Sequence, residues 1–120
     1  MSGAAPDSWA WPDSLDALTA APEFHRLLLE NDEVRVLESR IGPGETVPVH
    51  THCWPSALTT LTASHFVRRD GEGNVLGDSR SAGILPEAGT CVWLDAMPPH
   101  SVENVGNTEI RLLTVELKHG

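Results

Sequence analysis

Positive charge is scarce in this chain. Lys and Arg together number eight among 120 residues, against seventeen Asp and Glu, for a formal net charge of −9. The eight are scattered. Neutralising phosphates requires clustered cations, so no nucleic-acid partner is expected, and the acidic balance reads as serving solubility. Long apolar runs are also missing. No stretch approaches the roughly 20 residues of a membrane helix, and the start "MSGAAPDSWAWPDS" has neither a basic nor an apolar segment of signal-peptide type. The expectation is a cytoplasmic protein with no membrane partner. The two cysteines, Cys53 and Cys91, are too few and too far apart to read as a disulfide framework and are expected as reduced thiols. Solenoid-type repeats and low-complexity tracts are absent.

What is there suits one compact domain. A chain of 120 residues with 40% hydrophobic content can build a core without staples. Residues 1–12 read as an arm, in which Trp9 and Trp11 share a face if the backbone is extended and are expected to dock on the domain or on a second subunit. "PDSLDALTAAP" reads as a short helix, opened by Pro12 and Asp13 and closed by Pro22. Beyond it the pattern is strand and turn. "FHRLLLE" and "VRVLESRI" are strands, residues 47–69 cover two more, and "DGEGN" at 70–74 is a hairpin signal. "TCVWL" and "EIRLLTVELK" are further strands, the last with a slip in spacing at Leu112–Leu113 that suggests a bulge or burial on both faces. "MPPH" and "NVGN" mark turns. The sum is an all-β sandwich or barrel.

No Asp, Glu, Lys or Arg occurs from residue 46 to 67, and this uncharged stretch carries His50 and His52. On a strand, side chains two apart share a face about 6.5–7 Å apart, close enough for both imidazoles to reach one ion. Buried histidines with ordinary hydrogen-bond partners are the alternative. A third, His100, follows "MPP", with Asn104 four residues on as a candidate to orient a ligand or a turn. His65 is a weak candidate for a catalytic imidazole, against a partly exposed strand histidine. His25 and His119 read as surface. Trp54 is read as lining the cavity mouth or packing in the core, Trp93 as core, and Arg68 and Arg69 as a solvated strand end. Thr60 and Thr62 are expected to share the cavity with Ser56 if no bulge intervenes, and Cys53 to point away from the histidine pair as a buried, inert thiol.

These motifs resemble those of cupins. Gly44, five residues, then His50-Thr-His52 match the first cupin motif, and Gly89, His100 and Asn104 fall on the spacing of the second. The likeness covers about residues 22–118 and is to small single-domain bacterial cupins. It implies a jelly-roll barrel, which with the short helix and the arm at 1–12 gives an arm followed by a single domain at 13–120. The glutamate of motif one falls at Ser56, or at Ala57 with a longer spacer, so the ligand set it implies is His50, His52 and His100 with no carboxylate. Glu45 or Asp95 is a candidate outer-shell base.

Three neutral imidazoles leave both charges on a divalent metal, which favours an anionic ligand in the open positions. The resemblance extends to cupins with three-histidine iron sites, among them thiol and diketone-cleaving dioxygenases. It implies a mononuclear metalloenzyme of dioxygenase type acting on a small chelating anion, with Fe(II) favoured and Zn, Ni, Mn or Cu open. The alternatives are an isomerase, lyase or hydrolase on the same metal, a non-catalytic small-molecule- or metal-binding cupin, and a scaffold for interactions. A homodimer is expected, since small cupins commonly pair through strand edges.

Overall fold

The computed structural model describes residues 5–118; His119 and the first four residues of the arm lie outside it. The described residues form nine strands: β1 (His25–Glu30), β2 (Val34–Ile41), β3 (Thr46–His52), β4 (Ser56–Thr62), β5 (Phe66–Asp70), β6 (Val75–Asp78), β7 (Cys91–Leu94), β8 (Met97–Asn104) and β9 (Ile110–Leu117). They pair antiparallel in two sheets, ordered β1-β2-β9-β4-β7 and β3-β8-β5-β6, so the fold is all-β and of jelly-roll type. No helix among the described residues is long and apolar enough to cross a membrane.

Alternation decides which side chains face inward. Along β2, Arg35, Leu37, Ser39 and Ile41 are buried while their neighbours are not. The β2–β9 register is unbroken and sets Ile41 opposite Ile110 and Arg35 opposite Glu116. Val47 stands opposite Val102 and His50 opposite His100 in the other sheet. The interior is therefore graded along its length. Ile41, Val47, Ile110 and Ala21 form an apolar core with Phe24, Phe66, Val102 and Leu112 at one end, and the inward positions become polar toward the other.

Several local expectations change. Residues 47–69 hold parts of three strands, because Cys53-Trp54-Pro55 and Ala63-Ser64-His65 break the run. The expected helix is a 3₁₀ turn at Asp13–Leu15 and an α-helical turn, α1 (Ala17–Ala20), separated by Asp16 in an extended conformation with ψ 143°. A second helical turn, α2 (Ser79–Ala82), follows β6. "MPPH" opens β8 instead of marking a turn, since extended backbone suits proline as well as a turn does. At Leu112–Leu113 both side chains are half-buried, the second of the two expectations, and the bulge lies in the partner strand β4, between Thr60 and Thr62. Trp93 is 54% exposed on the edge strand β7, not core. Of the turns, "DGEGN" is a hairpin with Gly73 at φ 90°, its Asp70 carboxylate accepting from the amides of Glu72 and Asn74.

Candidate metal centre

Four imidazoles gather at the polar end of the barrel. His50 and His52 lie on β3, His100 opposite His50 on β8, and His25 on β1, where its partner is the inward Ser39. All four are buried. The surface assignment of His25 is overturned, for a physical reason: it sits on the inward phase of an edge strand, directly beside the β3 pair. Its ring centroid is 4.7 Å from that of His50 and 5.6 Å from that of His52. The His100 ring lies 4.3 Å from His50 and 5.7 Å from His52. His25, His50 and His52 each place a ring nitrogen within 4.8 Å of the others, a buried group able to hold a metal ion.

The tautomers follow from the hydrogen bonds. His25 Nδ1 lies 3.0 Å from the Ala21 carbonyl, His50 Nδ1 2.8 Å from that of Pro48, and His100 Nδ1 2.7 Å from that of Pro98. His52 Nδ1 is 2.7 Å from Oε2 of Glu116. A carbonyl or carboxylate oxygen only accepts, so each Nδ1 carries the proton and donates. In the neutral ring Nε2 then keeps its lone pair, the form in which histidine binds a metal. Burial pushes His25 and His100 down to about 4. It pushes His50 to about 2, reinforced by the neighbouring His100 and His52. These three imidazoles are therefore neutral at physiological pH and need lose no proton to accept a cation.

Glu116 is the carboxylate that the sequence reading missed. It is fully buried, and both oxygens are committed: Oε2 accepts from His52, and Oε1 accepts from Arg35 Nε at 2.5 Å. Arg35 also donates to Asp16 through Nη1 and Nη2, at 3.0 and 2.8 Å. Burial alone would raise the Glu116 carboxyl, but His52 and Arg35 outweigh it and hold it below the usual carboxylate range. A signal existed in the alternation Ile110, Leu112, Thr114, Glu116, which places Glu116 on the inward phase. The candidates named instead lie elsewhere. Glu45 is exposed and closes its own turn by accepting from Gly42 N, and Asp95 is exposed.

A cavity of about 270 Å³ adjoins the histidines. Its wall is largely apolar, with Leu58, Phe66, Leu94, Met97 and Leu112, and includes Thr60, Thr62 and Thr114. None of the described lining residues is Asp or Glu, and Arg68 is the formal cation among them. Arg68 was read as a solvated strand end; β5 turns it inward, while its neighbour Arg69 pairs with Glu103 at 2.9 Å.

Other residues singled out from sequence have different surroundings. Ser56 is buried opposite Glu116, its Oγ without a hydrogen-bond partner, and is not among the cavity-lining residues. Trp54 is buried and is not among the residues lining the cavity at the histidines. Arg35 Cζ lies 5.1 Å and Lys118 Nζ 5.5 Å from its ring, and it lines a separate cleft of about 210 Å³ with Trp9 and Cys53. Burial pushes the Cys53 thiol up to about 11. Asn104 orients a turn: Nδ2 donates to the carbonyls of Ile41 and Thr108, and Oδ1 accepts from Gly106 N. His65 does not line the cavity; its Nδ1 lies 3.0 Å from Ser79 Oγ.

No family model and no curated protein matches the chain. Solved structures do. A cupin domain from Bordetella pertussis is 22% identical, covers 78% of this chain and 91% of its own, and superposes with a TM-score of 0.64. An RmlC-like cupin with a double-stranded β-helix fold from Methanocaldococcus jannaschii is 13% identical over 79% of each chain, with a TM-score of 0.57. The polyketide cyclase RemF from Streptomyces resistomycificus is 19% identical, with 82% of this chain and 67% of that one covered and a TM-score of 0.55. The chain thus has the fold of a small cupin-type domain.

Proposed function

We propose that this cupin-type domain is a mononuclear metalloprotein that acts on a small, largely apolar, chelating anion. One observation carries the reading: His25, His50 and His52 each place a ring nitrogen within 4.8 Å of the others, with His100 opposite His50, and the Nδ1 of each of these rings is committed to a fixed acceptor, which leaves Nε2 for a cation. The donor set fits a divalent transition ion, and imidazole ligands do not choose among Fe, Zn, Ni, Mn and Cu. His25 is a histidine beyond the three expected, and no carboxylate joins the set, because Glu116 is occupied with His52 and Arg35. When bound, the metal supplies Lewis acidity and a positive charge that the ligands leave uncompensated. The surrounding residues bind the apolar body of the ligand and exclude water, while Glu116 holds His52 in its tautomer.

Dioxygenase chemistry, with Fe(II) as the favoured ion, is the specific activity proposed. The likeness to a polyketide cyclase is the reason to assay non-oxidative reactions of β-dicarbonyls alongside it. A second reading, ligand binding without turnover, is favoured by one feature: apart from the histidines, the cavity offers no acid or base among its described lining residues.

The test begins with metal content of the purified protein and of His25→Ala, His50→Ala and His100→Ala. About one ion per chain is expected in the wild type and much less in the variants; equal content throughout would overturn the site. Oxygen uptake with thiols and β-dicarbonyls under Fe(II) follows. No uptake would remove the dioxygenase and leave Lewis-acid chemistry or binding. A dimer remains our proposal for the assembly, supported by Leu27, Leu28 and Leu29, each more than 40% exposed on the edge strand β1. Light scattering on wild type and Leu28→Lys checks it.

A further inference from the structure

Arg68 stands out beside the described arginines that are paired. Arg35 is tied to Glu116 and Asp16, and the outward Arg69 and Arg111 to Glu103 and Glu38. Arg68 lines the cavity and, among the described residues, makes no ion pair. The acid nearest to it on the inward face of β5 is Asp70, whose carboxylate is used up in its own hairpin. Across the sheet Arg68 faces Val102 on one side and Gly77 on the other. A Cβ at Gly77 would meet nothing within 4 Å, so the strand beside the guanidinium leaves open space.

The distance to the histidines suits a small molecule. Asp70 is the register partner of His100, and Arg68 is two residues along on the same strand. Such diagonal neighbours lie roughly 7–8 Å apart. The described lining residues include no acid, so an anion entering the cavity meets the Arg68 guanidinium without a competing counter-charge on that wall. Guanidinium matches a carboxylate in a bidentate fork, and better than it matches a single-atom anion.

We propose that Arg68 is the carboxylate-recognising residue of this cavity. The ligand is then a small acid with an apolar body, its chelating group at the histidines and its carboxylate on Arg68. The chelating half rests on the metal-site reading above; the Arg68 half stands on the cavity alone.

The two halves are tested separately. Protein loaded with zinc, which is redox-silent, is titrated calorimetrically with glutaric acid monohydroxamate and with its methyl ester. The hydroxamate group serves the metal in both, and only the acid carries a carboxylate. The acid is expected to bind wild type about tenfold or more tightly than the ester. In Arg68→Gln that preference should vanish while the ester's affinity stays, which also shows that the variant is folded; Arg68→Lys should keep part of it. Equal binding of acid and ester to wild type, preference retained in Arg68→Gln, or no binding of either compound to zinc-loaded protein would overturn the proposal. If zinc does not load, the metal reading fails on its own. Benzoate and benzamide, titrated into metal-free protein and followed by NMR of the Leu58 and Leu112 methyls, then decide the Arg68 half. A benzoate preference lost in Arg68→Gln supports it, and equal binding of the two overturns it.

Discussion

Nδ1 of His52 lies 2.7 Å from Oε2 of Glu116, a residue 64 positions later in the chain. The other oxygen of that carboxylate accepts from Arg35, whose far end grips Asp16. A chain of charge thus runs from the N-terminal segment through the barrel wall to an imidazole of the candidate metal centre. Its inner links, Arg35, Glu116 and His52, are buried, while Asp16 at its outer end is half-buried.

Glu116→Gln keeps the shape of this link but removes the charge. Partners of metal-bound histidines typically contribute ten- to hundredfold in metal affinity. We expect about that loss, read by competition with a chromophoric chelator, and an unchanged affinity would remove the positioning role. Arg35→Ala should act on the fold, because it strands Glu116 and Asp16 without their cation. Breaking a buried pair in this way costs about 3–5 kcal/mol, measurable by urea denaturation.

His25 and His65 make a controlled comparison. His25→Ala removes a ring 4.7 Å from His50 and should lower metal affinity. His65→Ala removes a ring held against Ser79 outside the cavity and should leave metal affinity unchanged. The reverse pattern in chelator competition would contradict the arrangement.

The metal-free protein should be labile to mild acid. His25 and His100 sit at about 4 when folded, against 6.5 for an ordinary histidine. Between those values the unfolded chain binds more protons than the folded one, so stability rises with pH. The contribution is fully present above pH 6.5 and is lost as pH falls toward 4. Asp16 and Glu116, held below the usual carboxylate range, add a further loss at lower pH. The drop from the two histidines is on the order of several kcal/mol. Urea midpoints recorded from pH 8 to pH 4 check it, and a flat profile would count against neutral buried imidazoles.

The two cysteines should differ in reactivity. Cys53 is buried and its thiol is pushed up to about 11, while Cys91 is exposed on β7. A thiol reagent at neutral pH should modify Cys91 alone in the native protein and both in denaturant. Mass spectrometry of the labelled peptides reads the outcome.

Much of the fold was legible in order and type of element. Alternating apolar residues and the glycines of "DGEGN" give strands and a hairpin where they stand, because strand period and positive φ are local properties. Trp93 misled for the opposite reason. An aromatic residue in a strand has a face, but whether that face is covered depends on which strand is the edge. Arg68 misled in the same way, since a charge near a turn reads as solvated until the neighbouring strands enclose it.

By itself the sequence determined that the chain is a succession of strands and turns and that His50 and His52 share one face of a strand, since two residues are one strand period. Tertiary structure decided what that face meets. Pairing of β1 with β2 brought His25 in, pairing of β3 with β8 set His100 opposite His50, and the β2–β9 register joined Arg35 to Glu116. These are contacts between segments far apart in the chain. They arise from hydrogen-bond register across sheets, which a local period cannot specify.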